Sequence, residues 1–397
     1  MTKLIDRSEL TTMVKTAIAH GKARTIPQAP SVLKIPAANY FDPDRFKREV
    51  NQIFKRIPLM LAASAELPNP GDYKTIEAVG VPVLIARGQD GTVRAFVNSC
   101  AHRGANVATA EHGNAKRFTC PYHGWTFAQT GELIGIGMPG DFGEVDKSCL
   151  KLKALPAAER AGLVWVILNP SSGLDIDAFL SGYDAFLGHF GFRDWHFFSN
   201  RTLRGPNWKI AYDGYLDFYH LPVLHKDTFG SDYQNQAIYY AWGPHQRVQP
   251  PAKNHAELEQ EGEAQWNYKA LMNGVWTIFP HVSIASFDGG GRGVMVSQLL
   301  PGETVDESYT TQIYLMEKKP DAATETAAHE QFKFLEKVVR DEDYFTGLRQ
   351  QRALKAGGID TVMFGRNEGG AQRFHQWVER ILEADDQALN RMFTKAE

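Results

Sequence analysis

The stretch CAHRGANVATAEHGNAKRFTCPYHGW, residues 100–125, holds two near-copies of one pattern: a cysteine, a histidine shortly after it and a glycine at the turn. Cys100-x-His102 and Cys120-x2-His123 are separated by seventeen residues. Together they offer two thiolates and two imidazoles from two loops, a donor set that suits zinc or an iron–sulfur cluster. The order of the ligands decides between them. Zinc fingers usually group both cysteines and then both histidines, whereas here each loop supplies one of each. In a two-iron cluster, one iron takes both cysteines and the other both histidines, so two loops clasping it from opposite sides each give one ligand per iron. Replacing two thiolates by neutral imidazoles also raises the reduction potential, which suits an electron acceptor. Gly104 and Gly124 can bring backbone N–H groups close to sulfur, and Trp125 can shield the site from water.

The rest of the chain sets the frame. At 397 residues it is long enough for two domains. Hydrophobic residues make up 43% and charged residues 22%, values of a folded globular protein. A net charge of −3 gives no basic field for nucleic acid. The first twenty residues lack the apolar core of a signal peptide, and the longest apolar run, LVWVIL (163–168), cannot span a bilayer. A cytoplasmic protein with no membrane contact is expected. Three cysteines rule out a disulfide framework, and Cys149, outside the pattern, reads as an ordinary buried cysteine.

Residues 1–57 read as a helical segment that packs with the rest of the chain. Asp6 and Glu9 form a capping pair, Leu10, Met13, Val14, Ala17 and Ile18 recur at helical spacing, and Asp42 with Pro43 starts a second helix. Residues 58–170 alternate short β-rich runs with turn signals, as in a small antiparallel β domain. From 171 to 397, helical stretches (175–189, 208–221, 326–356, 371–394) bracket strands at 275–287, 293–300 and 309–317. Helices covering an antiparallel sheet follow, for an α+β fold overall. The charged stretch 249–265 reads as a solvated loop or excursion. GIGMPG (135–140) matches a dinucleotide-binding fingerprint, but Pro139 breaks the helix that should start there and no βαβ unit surrounds it. Electrons must therefore come from another protein.

CAHRG and CPYHGW resemble the two halves of the Rieske [2Fe-2S] motif, and region 58–170 resembles a Rieske domain. A second motif, NWKIAYDGYLDFYHLPVLH (207–225), spaces Asp217, His220 and His225 as D-x2-H-x4-H. On a helix Asp217 and His220 lie a turn apart, and Pro222 disrupts that helix so that His225 can swing toward His220. Combined with the upstream cluster motif, this resembles the catalytic half of the Rieske non-haem iron oxygenases, the aromatic ring-hydroxylating alpha subunits. Such a site needs a third, anionic ligand. Helical phase turns Asp341 away but leaves Glu342 and Asp343 open. The resemblance selects Asp343, an Asp in an "ED" pair eight residues before a Gln, here Gln351.

The resemblance implies a [2Fe-2S] cluster on Cys100, His102, Cys120 and His123, and mononuclear Fe(II) on His220, His225 and Asp343. Asp217 is then the bridge between a cluster histidine of one subunit, by position His123, and His220 of the next, which implies a homotrimer, with or without beta subunits. A separate ferredoxin or flavin reductase supplies electrons, and dioxygen and an aromatic or largely apolar substrate react at the iron. Dihydroxylation, monohydroxylation and O- or N-demethylation share this constellation; an electron carrier without catalysis leaves the second motif unexplained. Tyr212-Asp213 departs from the Glu-Asn pair often found there. Leu221, Phe229, Val275, Phe279, Ile284 and Phe287 are the candidate pocket residues, and His281 and His375 read as structural or surface histidines.

Overall fold

Short runs rich in Val, Ile, Leu and aromatic residues, each closed by a Gly turn, fold as antiparallel hairpins. The computed structural model describes residues 7–230 and 235–394. In its first half a five-stranded sheet runs Ala154–Leu155, Val93–Val97, Val81–Arg87, Asp72–Ala78, His112–Asn114. A typical turn is Gly88–Thr92, where Asp90 accepts from the Thr92 N–H and Gly91 takes a φ of +76° that only glycine adopts without strain. A small sheet of Arg117–Thr119, Thr126–Ala128 and Leu133–Gly135 stands beside it, and its first hairpin carries Cys120 and His123 at the tip.

The second half is built on one seven-stranded antiparallel sheet. From Ile238–Trp242 through His245–Gln249, Val275–Ile278, Val282–Phe287, Gly293–Pro301 and Ser308–Met316 it is a simple meander, and His196–Gly205 closes the far edge. Helix Gly369–Glu383 lays Phe374, Trp377, Val378 and Ile381 into the main core. The long helical run Glu325–Lys355 is interrupted by a π-helical turn at Val339–Tyr344. All strand pairs are antiparallel among the described residues, so GIGMPG sits in no βαβ unit. Pro139 does open a single helical turn, Pro139–Phe142, contrary to expectation; at that position its missing N–H costs nothing.

A further three-stranded sheet, Ala157–Arg160, Leu163–Val166 and Leu59–Ala63, joins the two halves. On its edge strand, the Met60 N–H donates to His281 Nε2 (3.1 Å) and the Met60 carbonyl accepts from Gln298 (2.6 Å). Side chains of the large sheet thus satisfy an edge that would otherwise be buried with unpaired backbone groups.

The N-terminal helix Arg7–Ala23 buries the expected Leu10, Met13, Val14, Ala17 and Ile18. Of the expected capping pair, Asp6 lies outside the described residues. Asp42 caps the second helix by accepting from the Asp44 and Arg45 N–H groups, with Pro43 in its first turn. Glu49 on that helix is fully buried and takes Arg45, Lys209 and the Trp208 indole N–H, so its charge is compensated on every side.

Four expectations fail here. Stretch 249–265 is not a free loop: His255–Glu261 forms a helix whose Leu258 is buried beside the N-terminal helix. Its apolar positions are too few to show a period against so many charges. Cys149 is exposed, its thiol donating to Asp146 Oδ2 at 3.3 Å, because it follows a solvated turn rather than a strand. The helix expected over 208–221 ends at Asp213, where Gly214 follows, and the chain turns irregularly before a new one at Leu221–Leu224. Pro222 lies in the first turn of that new helix and starts it rather than disrupting one.

Candidate active site: a cysteine–histidine pair of loops and a two-histidine, one-carboxylate cluster

The two loops of the opening motif repeat each other in hydrogen bonds as well as sequence. Cys100 N–H donates to Ala105 and Cys120 N–H to Trp125, both at 2.8 Å; Gly104 N–H returns to Cys100 and Gly124 N–H to Cys120, at 2.9 and 3.0 Å. Both glycines have positive φ, +80° and +70°, which closes each turn. Cys100 and Cys120 are buried and neither is in a disulfide. The His102 and His123 rings stand 4.7 Å apart, Trp125 stacks on His102 at 4.8 Å, and exposed Tyr122 stacks on His123 at 3.7 Å. Burial pushes the Cys100 thiol up and the Cys120 thiol adds to this, while the His102 and Arg103 N–H groups facing the sulfur favour the thiolate. His102 Nδ1 is buried with no hydrogen-bond partner. An unpartnered ring nitrogen beside two adjacent buried thiols is an incomplete set of donors, and a cluster liganded through sulfur and imidazole completes it.

The second site forms where the 214–225 segment meets the π-helical turn. Asp217 Oδ1 accepts from the His220 N–H (3.1 Å) and pairs with His220 Nδ1 (3.0 Å), so a local cap, not a continuous helix, places the two side by side. His225, buried, pairs through Nδ1 with Glu342 Oε2 at 2.6 Å. With both Nδ1 atoms engaged by carboxylates, both Nε2 lone pairs are left for the gap between the rings. Asp343 Oδ1 lies in that gap, 3.3 Å from His225 Nε2 and 3.9 Å from His220 Nε2. Burial works against a charged His225, but Asp343 and Glu342 outweigh it and hold its pKa above the ordinary value. One ligand atom from each of His220, His225 and Asp343 fits within 4.8 Å, a face that fits a divalent iron.

A pocket opens on this face. Phe218, Leu221, Phe229, Val275, Phe287 and Met295 supply apolar walls, and Ser283, Ser297, Gln312 and Tyr215 add neutral polar groups. Four of the six expected pocket residues line it. Phe279 and Ile284 do not: both are in the main core, Ile284 because strand alternation sends Ser283, Ala285 and Phe287 to the pocket face and the residues between them to the other.

The family description "Rieske [2Fe-2S] domain" matches residues 58–145, and "Ring hydroxylating alpha subunit (catalytic domain)" matches residues 192–384. The chain belongs to the Rieske ring-hydroxylating oxygenase alpha-subunit family. Its cofactors are a Rieske [2Fe-2S] cluster and a mononuclear iron. The anthranilate 1,2-dioxygenase large subunit of Acinetobacter baylyi is 27% identical over 75% of this chain, which spans 60% of that relative's length. The carnitine monooxygenase oxygenase subunit of Escherichia coli K12 is also 27% identical, over 88% of this chain and 94% of that one. A crystal structure of a quaternary ammonium Rieske monooxygenase shares the fold, with a TM-score of 0.76 at 21% identity over 89% of this chain and 97% of that one. No helix of the alpha subunit, among the described residues, is long and apolar enough to cross a membrane.

Sequence reasoning missed what two carboxylates hold, one of them at the iron face. Glu342 holds His225 and also accepts from Thr228 Oγ1 at 2.9 Å; the signal was its place beside Asp343, read only as a rival ligand. Asp213, at the family's departure, accepts from the Tyr40 hydroxyl (2.7 Å) and pairs with His375 Nε2 (2.9 Å). No spacing rule links residues 40, 213 and 375. Gln351 ties the ligand helix in place by accepting from the Asn207 N–H and donating to Asp306.

Proposed function

We propose that this chain is the terminal oxygenase component of a multicomponent Rieske system, in which Cys100, His102, Cys120 and His123 hold the cluster and His220, His225 and Asp343 the iron. Residues 58–170 form the cluster-bearing domain and 171–397 the catalytic one, with 1–57 packed on the latter. The observation that carries this is the convergence of two freed Nε2 atoms and one carboxylate on an apolar pocket, in the same chain as the cluster loops. When bound, the cluster supplies single electrons and the iron supplies the site of dioxygen activation. The chain's own work is placement. Asp217 and Glu342 fix the tautomer and aim of the two histidines, and the apolar walls exclude water and hold the substrate's reacting carbon at the open face.

A ferredoxin or flavin reductase feeds the cluster; in support, the GIGMPG stretch lies in no βαβ unit among the described residues. Electrons then pass between subunits of a cyclic homotrimer, from His123 of one to Asp217 and His220 of the next. Supporting this are exposed apolar side chains near both sites on one chain: Tyr122 and Phe142 against the cluster-loop histidines, and Tyr219 and Val223 within six residues of Asp217. An aromatic or largely apolar ring is the substrate. The long match to a carnitine monooxygenase keeps monooxygenation or demethylation as a second reading. The test is a single turnover of the reduced protein under 18O2 with a panel of ring compounds. Product carrying 18O supports an oxygenase; reduced protein that consumes no oxygen with any compound, and only passes its electron to an external acceptor, makes it a carrier.

A further inference from the structure

We infer that the pocket selects a small, neutral, single-ring substrate bearing a hydrogen-bond-accepting oxygen, which Gln312 and Tyr215 hold. This rests on the oxygenase reading of the site and narrows its substrate. Size is the first constraint. The cavity measures about 140 Å³, close to the roughly 150 Å³ of an engineered cavity that takes benzene, so one ring fills it.

Charge is the second. Among the described residues no lysine or arginine lines the pocket, and its charged side chains are the carboxylates Asp217 and Asp343 and the iron-facing histidines. With Fe(II) bound, the carboxylates of Asp217 and Asp343 already balance its two charges, so a substrate carboxylate would lie buried with no counter-charge left for it. Anthranilate and carnitine, named for the two relatives above, both carry a carboxylate. Arg201, bonded to the lining residue Gln312, is not itself at the surface of the pocket. Its guanidinium stacks 3.7 Å from the Phe332 ring and donates through Nε to Gln312 Oε1 at 2.8 Å.

That bond is the third constraint, because it fixes which way the Gln312 amide points. With Oε1 occupied by Arg201, the group Gln312 has left to offer is its NH2, a pure donor. Register places Gln312 opposite Ser297, and Ser297 opposite Ser283, so three neutral polar side chains cross three adjacent strands on the pocket face. Tyr215 faces them. Its hydroxyl is withdrawn from solvent near Ser297 and Tyr344 but has neither at full hydrogen-bonding distance and angle, so its proton is available to a ligand. Donors without partners in an otherwise apolar pocket call for an acceptor on the ligand: a carbonyl, ether or phenol oxygen.

The experiment measures binding to the metal-loaded protein, without turnover, of acetophenone, toluene and benzoate. Acetophenone should bind at least about tenfold more tightly than benzoate, its charged counterpart of similar size. Tyr215→Phe and Gln312→Met should each weaken acetophenone about tenfold more than toluene, a ratio that mere loss of packing would leave at one. Benzoate binding as tightly as acetophenone overturns the inference, as does equal weakening of acetophenone and toluene in both variants, or no binding of any probe. Labelled product from benzoate or carnitine and none from acetophenone would leave the oxygenase reading standing and reject this one. Selective acetophenone binding with no labelled product from any ring would do the reverse.

Discussion

Asp343 and Glu342 are neighbours in sequence with separate tasks in space. Asp343 approaches both Nε2 atoms, while Glu342 grips the far side of His225. Replacing Asp343 by Ala should therefore empty the mononuclear site, whereas Glu342→Ala should keep the iron with an affinity lower by about 10–100-fold, the usual cost of losing such a support. Iron titration followed by cluster-independent spectroscopy of the mononuclear centre checks this; equal loss in both variants would make Glu342 a ligand. A second residue-scale prediction concerns acid. Burial holds His245 and His281 neutral, with pKa values of about 3, against roughly 6.5 for a free histidine. Because the folded values lie below the unfolded one, the stability they confer is complete above pH 6.5 and falls as pH drops toward 3, by about 1.4 kcal/mol per unit for each. His281→Gln keeps an acceptor for the Met60 N–H but cannot titrate. Its urea midpoint should fall less steeply than the parent's between pH 6.5 and 4.5, and a parallel decline would contradict the assignment.

At the scale of elements, what sequence pattern revealed depended on whether the element repeats. The cluster loops, the capped helix after Asp42 and the strands Gly293–Pro301 and Ser308–Met316 carry local signals and appear where expected, whereas the run 275–287 splits into Val275–Ile278 and Val282–Phe287, and the strands Ile238–Trp242, His245–Gln249 and His196–Gly205 went unread. The D-x2-H-x4-H segment has no period: Gly214 and the Asp217 cap break the helix that its apolar spacing suggested. Nor does spacing reveal the π-helical turn at Val339–Tyr344, which widens the helix by one residue just where Glu342 and Asp343 must both reach the histidines. Ile284 was misplaced for a related reason, since its run VSIASF is apolar on both faces and alternation could not be phased without the partner strands. Deleting Arg340, an exposed residue of that turn paired with Glu336 and Asp341, should restore ordinary α-helical phase and rotate Asp343 by about 100°. Such a variant should lose the mononuclear iron and keep its visible cluster spectrum; retention of both metals would show that the π-turn does not set the ligand.

On the scale of the whole molecule, the fold puts the cysteine–histidine loops in the β-rich first half and the two-histidine, one-carboxylate face between the 214–225 segment and the π-helical turn of the second half, with exposed apolar side chains such as Tyr122 and Val223 next to each in sequence. A route between subunits predicts complementation. Mixing His123→Ala, deficient in cluster, with His220→Ala, deficient in iron, under conditions of subunit exchange should restore part of the activity from two inactive parents. Stable mixed oligomers without recovered activity would mean that electrons remain within one chain, and the bridging task of Asp217 would fall with the ring.

All of this stands on one chain holding both a Rieske cluster and a separate iron. Metal and acid-labile sulfide analysis of anaerobically purified protein tests that most directly. About three iron and two sulfide per chain are expected, with the iron of His225→Ala falling to about two and its sulfide unchanged. A colourless protein holding zinc in place of iron and sulfide, or a His225→Ala variant that retains all its iron, would contradict the account.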